Sequence, residues 1–259
     1  MRRTGESAEQ YLTSVRSVLE KLETNQILSA AALVANSLRD GGLIHMFGAG
    51  HSLLLAIETF FRAGGLVAVN PILDRRLQFD GGVLESTEFE RTSDAARDIA
   101  RDAGFRAGDV GFVASNSGRN VLPVEIAFQM RSARMKVIAL TNLAQSKVGN
   151  SFHVSGKMLF EIADAVLDNH CPVGDAAVQI PGISVRMGPI STIAGSALLH
   201  AVFIEAAAQL AGEGNAPDVF QSVNVGTGAL DELRSLVAQY AERIKFYRSP
   251  LHRENAMES

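Results

Sequence analysis

Apolar positions recur at helical spacing from the start of the chain. Tyr11, Val15, Val18, Leu19 and Leu22 draw one stripe along residues 8–23. Thr24 or Asn25 is suited to cap a second helix with Ile27, Leu28, Ala31, Val34, Ala35 and Leu38 on one side, stopped by Gly41-Gly42. The period then changes. Residues 43–47 form a short, nearly continuous apolar run ending in glycine, which has the length of a buried strand. Residues 66–69, 109–114, 136–140 and 165–167 repeat that signature. Helical patterns separate them over 53–62, 92–103 and 121–133, with Pro123 accommodated in a first turn. A long, alanine-rich apolar helix over 190–210 and a final helix over 230–244 follow.

Strands alternating with helices predict right-handed crossovers. The fold class is α/β, a three-layer α-β-α sandwich around a mainly five-stranded parallel sheet, with an N-terminal helical extension. Residues 176–185 break this pattern, because a Pro181-Gly182 turn between apolar runs predicts an antiparallel hairpin added at one sheet edge. No linker or low-complexity stretch divides the chain. The chain therefore reads as one domain with an N-terminal helical extension.

Composition narrows the class. The 259 residues are 47% hydrophobic and 20% charged, with a formal net charge of −4. That is too apolar for disorder and too acidic for a protein built mainly to bind nucleic acid. One cysteine cannot form an internal disulfide, which fits a reducing, cytoplasmic setting. The polar start MRRTGESAEQ lacks an apolar signal core, and no run of about 18 apolar residues occurs, so no membrane association is expected.

Two turns carry candidate chemistry. Gly48-Ala49-Gly50-His51-Ser52 follows the first strand and Ser115-Asn116-Ser117-Gly118-Arg119-Asn120 follows the third. In an open parallel sheet, ligands bind beyond the carboxyl ends of the strands. Each turn offers glycine for close approach, small hydroxyls as donors, and a helix N-terminus whose free N–H groups and dipole favour an anion. Gly48, Gly50, Ser52, Ser115, Asn116, Ser117, Gly118 and Asn120 are thus phosphate-binding candidates, and Thr141-Asn142 would line the same crevice. A dinucleotide site fits less well: Leu53 stands where the last glycine of GxGxxG belongs, and Asn70 replaces the acidic ribose ligand. No GKS or GKT follows a glycine loop. Ordinary strand–helix turns remain the plain alternative.

These turns, together with FFRAGGLVAVNPIL, ESTEFER, HVSGKMLFEIADAVLDN, PVGDA and GPIST in order, resemble the SIS (sugar isomerase) domain family over about residues 8–212. That family includes phosphoheptose isomerase, the isomerase half of glucosamine-6-phosphate synthase, N-acetylmuramic acid 6-phosphate etherase and phosphosugar-sensing regulators. The chain is similar to a phosphoheptose-isomerase-like single-domain branch. The resemblance implies a SIS-type, flavodoxin-like sandwich, a phosphorylated sugar as partner, and a homodimer or higher homo-oligomer. It implies phosphate contacts from Ser52, Ser115, Ser117 and Asn120, although relatives usually have Ser or Thr where Asn120 stands. The implied reaction is aldose–ketose isomerisation. An etherase-like lyase and a non-catalytic phosphosugar sensor are the alternatives.

Isomerisation needs a base for the C2 proton and an acid–base group at oxygen. Glu58, six residues after Ser52 and beside apolar Ile57 and Phe60, is the first candidate base. His51 in the turn and His200 on the late helix are candidates for proton transfer. Glu85 and Glu88, flanking Ser86-Thr87 in a glycine-rich loop, are further candidates. Solvated carboxylates and core histidines are the competing readings. Some phosphoheptose isomerases carry zinc ligands on the helix after the first motif and on the late helix. Here the former region holds Glu58 and Arg62, and no HExxH, CxxC or compact histidine cluster occurs, so no metal or other cofactor is expected. Arg119 and Lys157 could add charge near the phosphate. Asp168, Asn169 and Asp175 could bind sugar hydroxyls or hold their loop, and Cys171 reads as a small core residue.

Overall fold

A computed structural model describes residues 4–78, 82–224 and 229–248. Helices α1 (Glu6–Leu19) and α2 (Thr24–Arg39) precede the sheet. The chain continues as β1 (Ile44–Gly48), α3 (Leu53–Thr59), β2 (Val69–Pro71), α4 (Val83–Phe89), α5 (Ala96–Ala103) and β3 (Val110–Ala114). Then come α6 (Val121–Ser132), β4 (Lys136–Thr141), α7 (Leu143–Ser146), α8 (Leu159–Ile162), β5 (Ala165–Asp168), α9 (Ser191–Gly212) and α10 (Ala229–Tyr240).

The five strands are all parallel, in the order β2-β1-β3-β4-β5. This is the flavodoxin-like order, whose chain direction reverses between β1 and β3. Both faces of the sheet are covered, which explains why the strands read as unbroken apolar runs. Side chains alternate between the layers. Ile44, Met46, Phe112, Ala114, Ile138 and Leu140 pack against α2, α3 and α9. Phe47, Val113, Val137 and Ala139 pack against α5, α6 and α8. Among the described residues, α9 is the one helix long and apolar enough to cross a membrane, yet its Leu198, Leu199, Val202 and Phe203 lie in the sheet core.

Several expectations need correction. The second strand is Val69–Pro71 rather than 66–69. Leu66 instead bridges Val219 in antiparallel fashion, and Val67 N donates to Asp218 O at 3.0 Å. The apolar run was buried by the C-terminal segment as well as by the sheet. The hairpin of residues 176–185 does not join the sheet: it closes on a single bridge, Val178 to Met187, and packs Ala177, Val178 and Ile180 against Val15 and Val18 of α1. Glu85 and Glu88 sit on helix α4 rather than in a loop. The cap of α2 is Glu23, with Thr24 already helical.

The amino end of the sheet closes around a buried polar network. His45 and Asp109 are 0% and 2% exposed. Asp109 accepts from Leu43 N at 2.8 Å and from Arg243 Nη2 at 2.8 and 2.7 Å, and its Oδ2 lies 3.0 Å from His45 Nε2. Asn70 Nδ2 donates to Ala103 O at 3.0 Å and meets His45 Nδ1 at 3.1 Å. Burial alone would raise the Asp109 carboxyl, but the hydrogen bonds from His45, Arg243 and Leu43 outweigh it and hold the group below its ordinary value. Leu233, Leu236, Tyr240, Ile244 and Tyr247 pack over this end against Leu43, Val67 and Ala68.

Candidate functional site

At the carboxyl end, the two glycine-containing turns leave adjacent strands. Gly48, the last residue of β1, stands opposite Ala114, the last residue of β3. Neighbouring strands are about 4.8 Å apart, so the turns begin side by side at the point where strand order reverses. Gly48 admits no side chain: a Cβ there would lie 2.2 Å from Ser52 O. Gly50 adopts a left-handed φ of 53° and opens a short 3₁₀ turn, Gly50–Ser52, that runs directly into α3. His51 is exposed and Ser52 half-buried on this turn.

The second turn is braced from below. Ser115 Oγ accepts from Gly118 N at 3.2 Å. Gly118 has φ 60°, and a Cβ there would lie 2.9 Å from both Ser146 Oγ and Thr141 Oγ1. Those two hydroxyls bond each other at 2.9 Å, and Ser146 Oγ donates to Ser117 O at 2.9 Å. Thr141 Oγ1 also reaches Asn116 O at 3.3 Å. Asn116 donates to Gln145 Oε1 at 3.3 Å and accepts from Asn169 Nδ2 at 2.8 Å. Thr141 and Asn116 thus shape the turn with their side chains, whereas the hydroxyls of Ser52 and Ser117 have no partner among the described residues. Asn120 is the N-cap of α6 in extended conformation, and its side chain makes no capping bond. Ser146 and Gln145 escaped sequence reasoning because their contacts to Ser117 and Asn116 each span 29 residues, whereas Asn142, expected beside Thr141, donates to Cys171 O.

The remaining loop residues resolve into supports. Arg119 stacks over the Phe152 ring at 4.0 Å to its centroid, turned toward the 147–157 loop. His153 pins that loop through Glu125 Oε2 and Ser155 Oγ, both at 2.8 Å, and Lys157 is exposed on it. Asp168 accepts from Leu143 N and His170 N, each at 3.1 Å. Asp175 accepts from Ile190 N and Ser191 N at 2.9 Å and so caps α9. Cys171 is buried, and its thiol is pushed up to about 12 by burial, with the charges of Asp175 and Asp168 adding to it. It is held as the inert thiol.

A second cluster lies between α3 and α9. Glu58 Oε1 is shared by Arg62 Nη1, by His200 Nε2 at 3.2 Å and by Ser196 Oγ at 3.4 Å. Two residues that sequence reasoning chose separately, Glu58 and His200, are thereby brought into contact; Ser196 and Arg62 were not chosen. His51 is not in this cluster, and Glu85 and Glu88 line a different cavity of about 530 Å³ with Arg75, Arg76 and Phe89. Burial, and secondarily the charge of Arg62, lower the His200 imidazole below its ordinary value. These residues do not fit a metal ion. The guanidinium occupies the carboxylate edge that a cation would need, and no group of three or more His, Cys, Asp or Glu side chains converges among the described residues.

The SIS domain model matches residues 10–142, from α1 to the end of β4, including both turns. The chain belongs to the SIS domain family. UPF0309 protein GK1441 of Geobacillus kaustophilus is 40% identical over 238 residues, spanning 91% of this chain and 94% of that protein. UPF0309 protein BCAN_B0929 of Brucella canis is 42% identical over 218 residues, spanning 84% and 88%. Among solved structures, phosphoheptose isomerase GmhA from Neisseria gonorrhoeae superposes with a TM-score of 0.51 at 21% identity, covering 77% of this chain and 95% of that one. A phosphoheptose isomerase from Francisella tularensis gives 0.52 at 15% identity, covering 79% and 98%. At such identities the likeness shows a shared SIS fold.

Proposed function

We propose that this SIS protein binds a phosphorylated sugar at the β1/β3 crevice and interconverts its aldose and ketose forms. The observation that carries the reading is the pair of hydroxyl- and glycine-bearing turns side by side at the topological switch point, each leading into a helix N-terminus. Ser52, Ser115, Ser117 and Asn120, with the amide of Gly50, form the phosphate site. Gly48 and Thr141 keep the turns in shape, and Asn116 fixes the second turn to β5.

Glu58 and His200 supply the acid–base chemistry. Glu58 lies six residues beyond Ser52, a rise of about 9 Å along a helix. A chain of single bonds advances about 1.2 Å per bond, so the six bonds from phosphorus to C2 of an open-chain hexose 6-phosphate span about 7 Å. The reach is therefore commensurate with the ligand. In the aldose-to-ketose direction, the C2–H bond breaks, its electron pair forms the C1–C2 double bond, and the carbonyl oxygen gains a proton. Return of a proton to C1 with loss of the O2 proton completes the exchange. No redox partner enters this balance. His51, at the mouth of the first turn, is assigned to contact with the ligand or to proton relay at oxygen.

A second copy of the chain is assigned to the outer face of α3 and α9. Leu54, Ile57, Phe61, Ile193 and Ile204 are all at least 41% exposed there. Only 44% of the most apolar window of α9 is buried, although a helix apolar on all sides is normally covered on all sides. Glu58 and His200 lie on this face, so pairing would enclose them. Residues 8–212 are assigned as the phosphosugar-binding unit and 213–259 as an extension of the same domain, supported by the packing of α10 on the amino end of the sheet. Turnover across a panel of sugar phosphates tests the reaction: ketose formation supports it, whereas lactate release from N-acetylmuramic acid 6-phosphate, or binding without turnover, overturns it. Light scattering at several concentrations tests the pairing, and a strict monomer contradicts it.

A further inference from the structure

We infer that residues 147–159 are a brace for the second turn, and that Arg119 and Phe152 are positioning residues which tune that turn's grip on an anion. The ligand rests on the phosphosugar reading above; the brace does not. Its basis is the direction of four consecutive carbonyls, those of residues 116–119. Asn116 O accepts from Asn142 N at 3.1 Å, and Ser117 O from Ser146 Oγ at 2.9 Å. Gly118 O accepts from Leu159 N at 2.8 Å, and Arg119 O from Phe152 N at 2.9 Å. In a trans peptide the C=O and the N–H that follows it point in opposite directions. Fixing these carbonyls therefore turns the amides of Ser117, Gly118, Arg119 and Asn120 the other way. Gly118 N donates to Ser115 Oγ at 3.2 Å, while the other three amides have no partner among the described residues. Free N–H groups aligned before a helix suit an anion, so the brace sets the donors without touching the ligand.

Two of the four donors, Phe152 N and Leu159 N, belong to the 147–159 segment, and further contacts hold that segment in place. The Arg119 guanidinium stacks over the Phe152 ring, 4.0 Å from its centroid. Gly149, at φ 106°, lets the chain pass close beside it: a Cβ there would lie 3.2 Å from Arg119 Nη1. His153 Nε2 and Glu125 Oε2 are 2.8 Å apart, and Glu125 is on α6. The segment is thus fastened both to the turn and to the helix that follows it. Among the described residues Arg119 has no carboxylate partner, and its Nε is shielded from solvent without a hydrogen bond. The Phe152 ring is left to hold the cation. A planar guanidinium lies flat on a ring, whereas an ammonium is a point charge. Arg119 is thereby assigned to the brace rather than to the ligand.

Titration of the full chain with inorganic phosphate and with fructose 6-phosphate tests the assignment. Phe152→Ala removes the ring and keeps the backbone donor; Arg119→Lys keeps the charge and removes the planar stack. Phe152 is 53% exposed, so its truncation leaves the core intact. Each variant should weaken binding of both ligands about two- to fivefold, the worth of an exposed cation–π contact. The double variant should lose no more than either single one, and Phe152→Tyr, which restores a ring, should bind as wild type. Wild-type affinity in Phe152→Ala, as a direct charge contact from Arg119 would give, overturns the proposal. Hydrogen exchange in the ligand-free chain reads the brace separately. In Phe152→Ala the amides of Phe152, Leu159 and Gly118 should exchange faster, and an unchanged Gly118 amide also overturns the proposal. A wild-type chain that binds neither ligand counts against the phosphosugar reading instead, and exchange at Gly118 still decides the brace.

Discussion

The two ends of the parallel sheet are both polar, and they differ in how their polar groups are satisfied. At the amino end, His45, Asp109, Asn70 and Arg243 consume one another's hydrogen-bonding capacity beneath α10. At the carboxyl end, a lower tier of Thr141, Ser146, Asn116 and Asn169 is equally closed, but above it the hydroxyls of Ser52 and Ser117 have no partner among the described residues. A closed network specifies structure, because leaving one member unpaired is costly. Partners within the chain thus make the amino end a structural network, and their lack at the Ser52 and Ser117 hydroxyls is what supports the recognition role proposed for the carboxyl end.

The comparison predicts that the two ends can be broken separately. Asp109→Ala strips partners from His45 and Arg243 and should cost about 3–5 kcal/mol, the range for removing one member of a buried charged pair. Thermal or urea unfolding checks the loss, and affinity of the folded fraction for sugar phosphate should stay at the wild-type value. Gly118→Ala should cost about 1–3 kcal/mol through its left-handed backbone. It would also push apart Thr141 and Ser146, and so weaken sugar-phosphate binding in calorimetry. The smallest effect is in acid. Because the Asp109 carboxyl is lowered in the folded chain, its contribution is present above the unfolded value and is lost as pH falls through the folded one. Asp109→Asn should therefore flatten the decline of stability below about pH 4, read from unfolding at stepped pH.

Much of this division was legible in the sequence. Four of the five strands, the layer order and both turns followed from short apolar runs and the turn residues after them, since local period and turn chemistry report those features directly. What misled the reading was burial supplied from elsewhere. Val67 and Ala68 are apolar because the segment around Phe220 and Tyr247 covers them, and Ala177 and Val178 because α1 does. The amino-end network was missed because His45, Asp109 and Arg243 are separated by 64 and 134 residues. A histidine inside a strand buried on both faces was the available signal, since such a ring needs partners. For the site, Glu58 was nominated by its spacing from Ser52 and His200 by its place on the late helix and the family resemblance, but only the packing of α3 on α9 joins them and adds Arg62 and Ser196.

The central claim is that the carboxyl-end turns form a phosphosugar site. Titration calorimetry of the full chain with sugar phosphates and their unphosphorylated counterparts tests it most directly, alongside Ser117→Asp. Like-charge contact costs several kcal/mol, and each ~1.4 kcal/mol is tenfold in affinity. The account predicts binding of a sugar phosphate, none of the free sugar, and a loss of more than about 100-fold in Ser117→Asp. Absence of binding by every sugar phosphate, or wild-type affinity in Ser117→Asp, would contradict it.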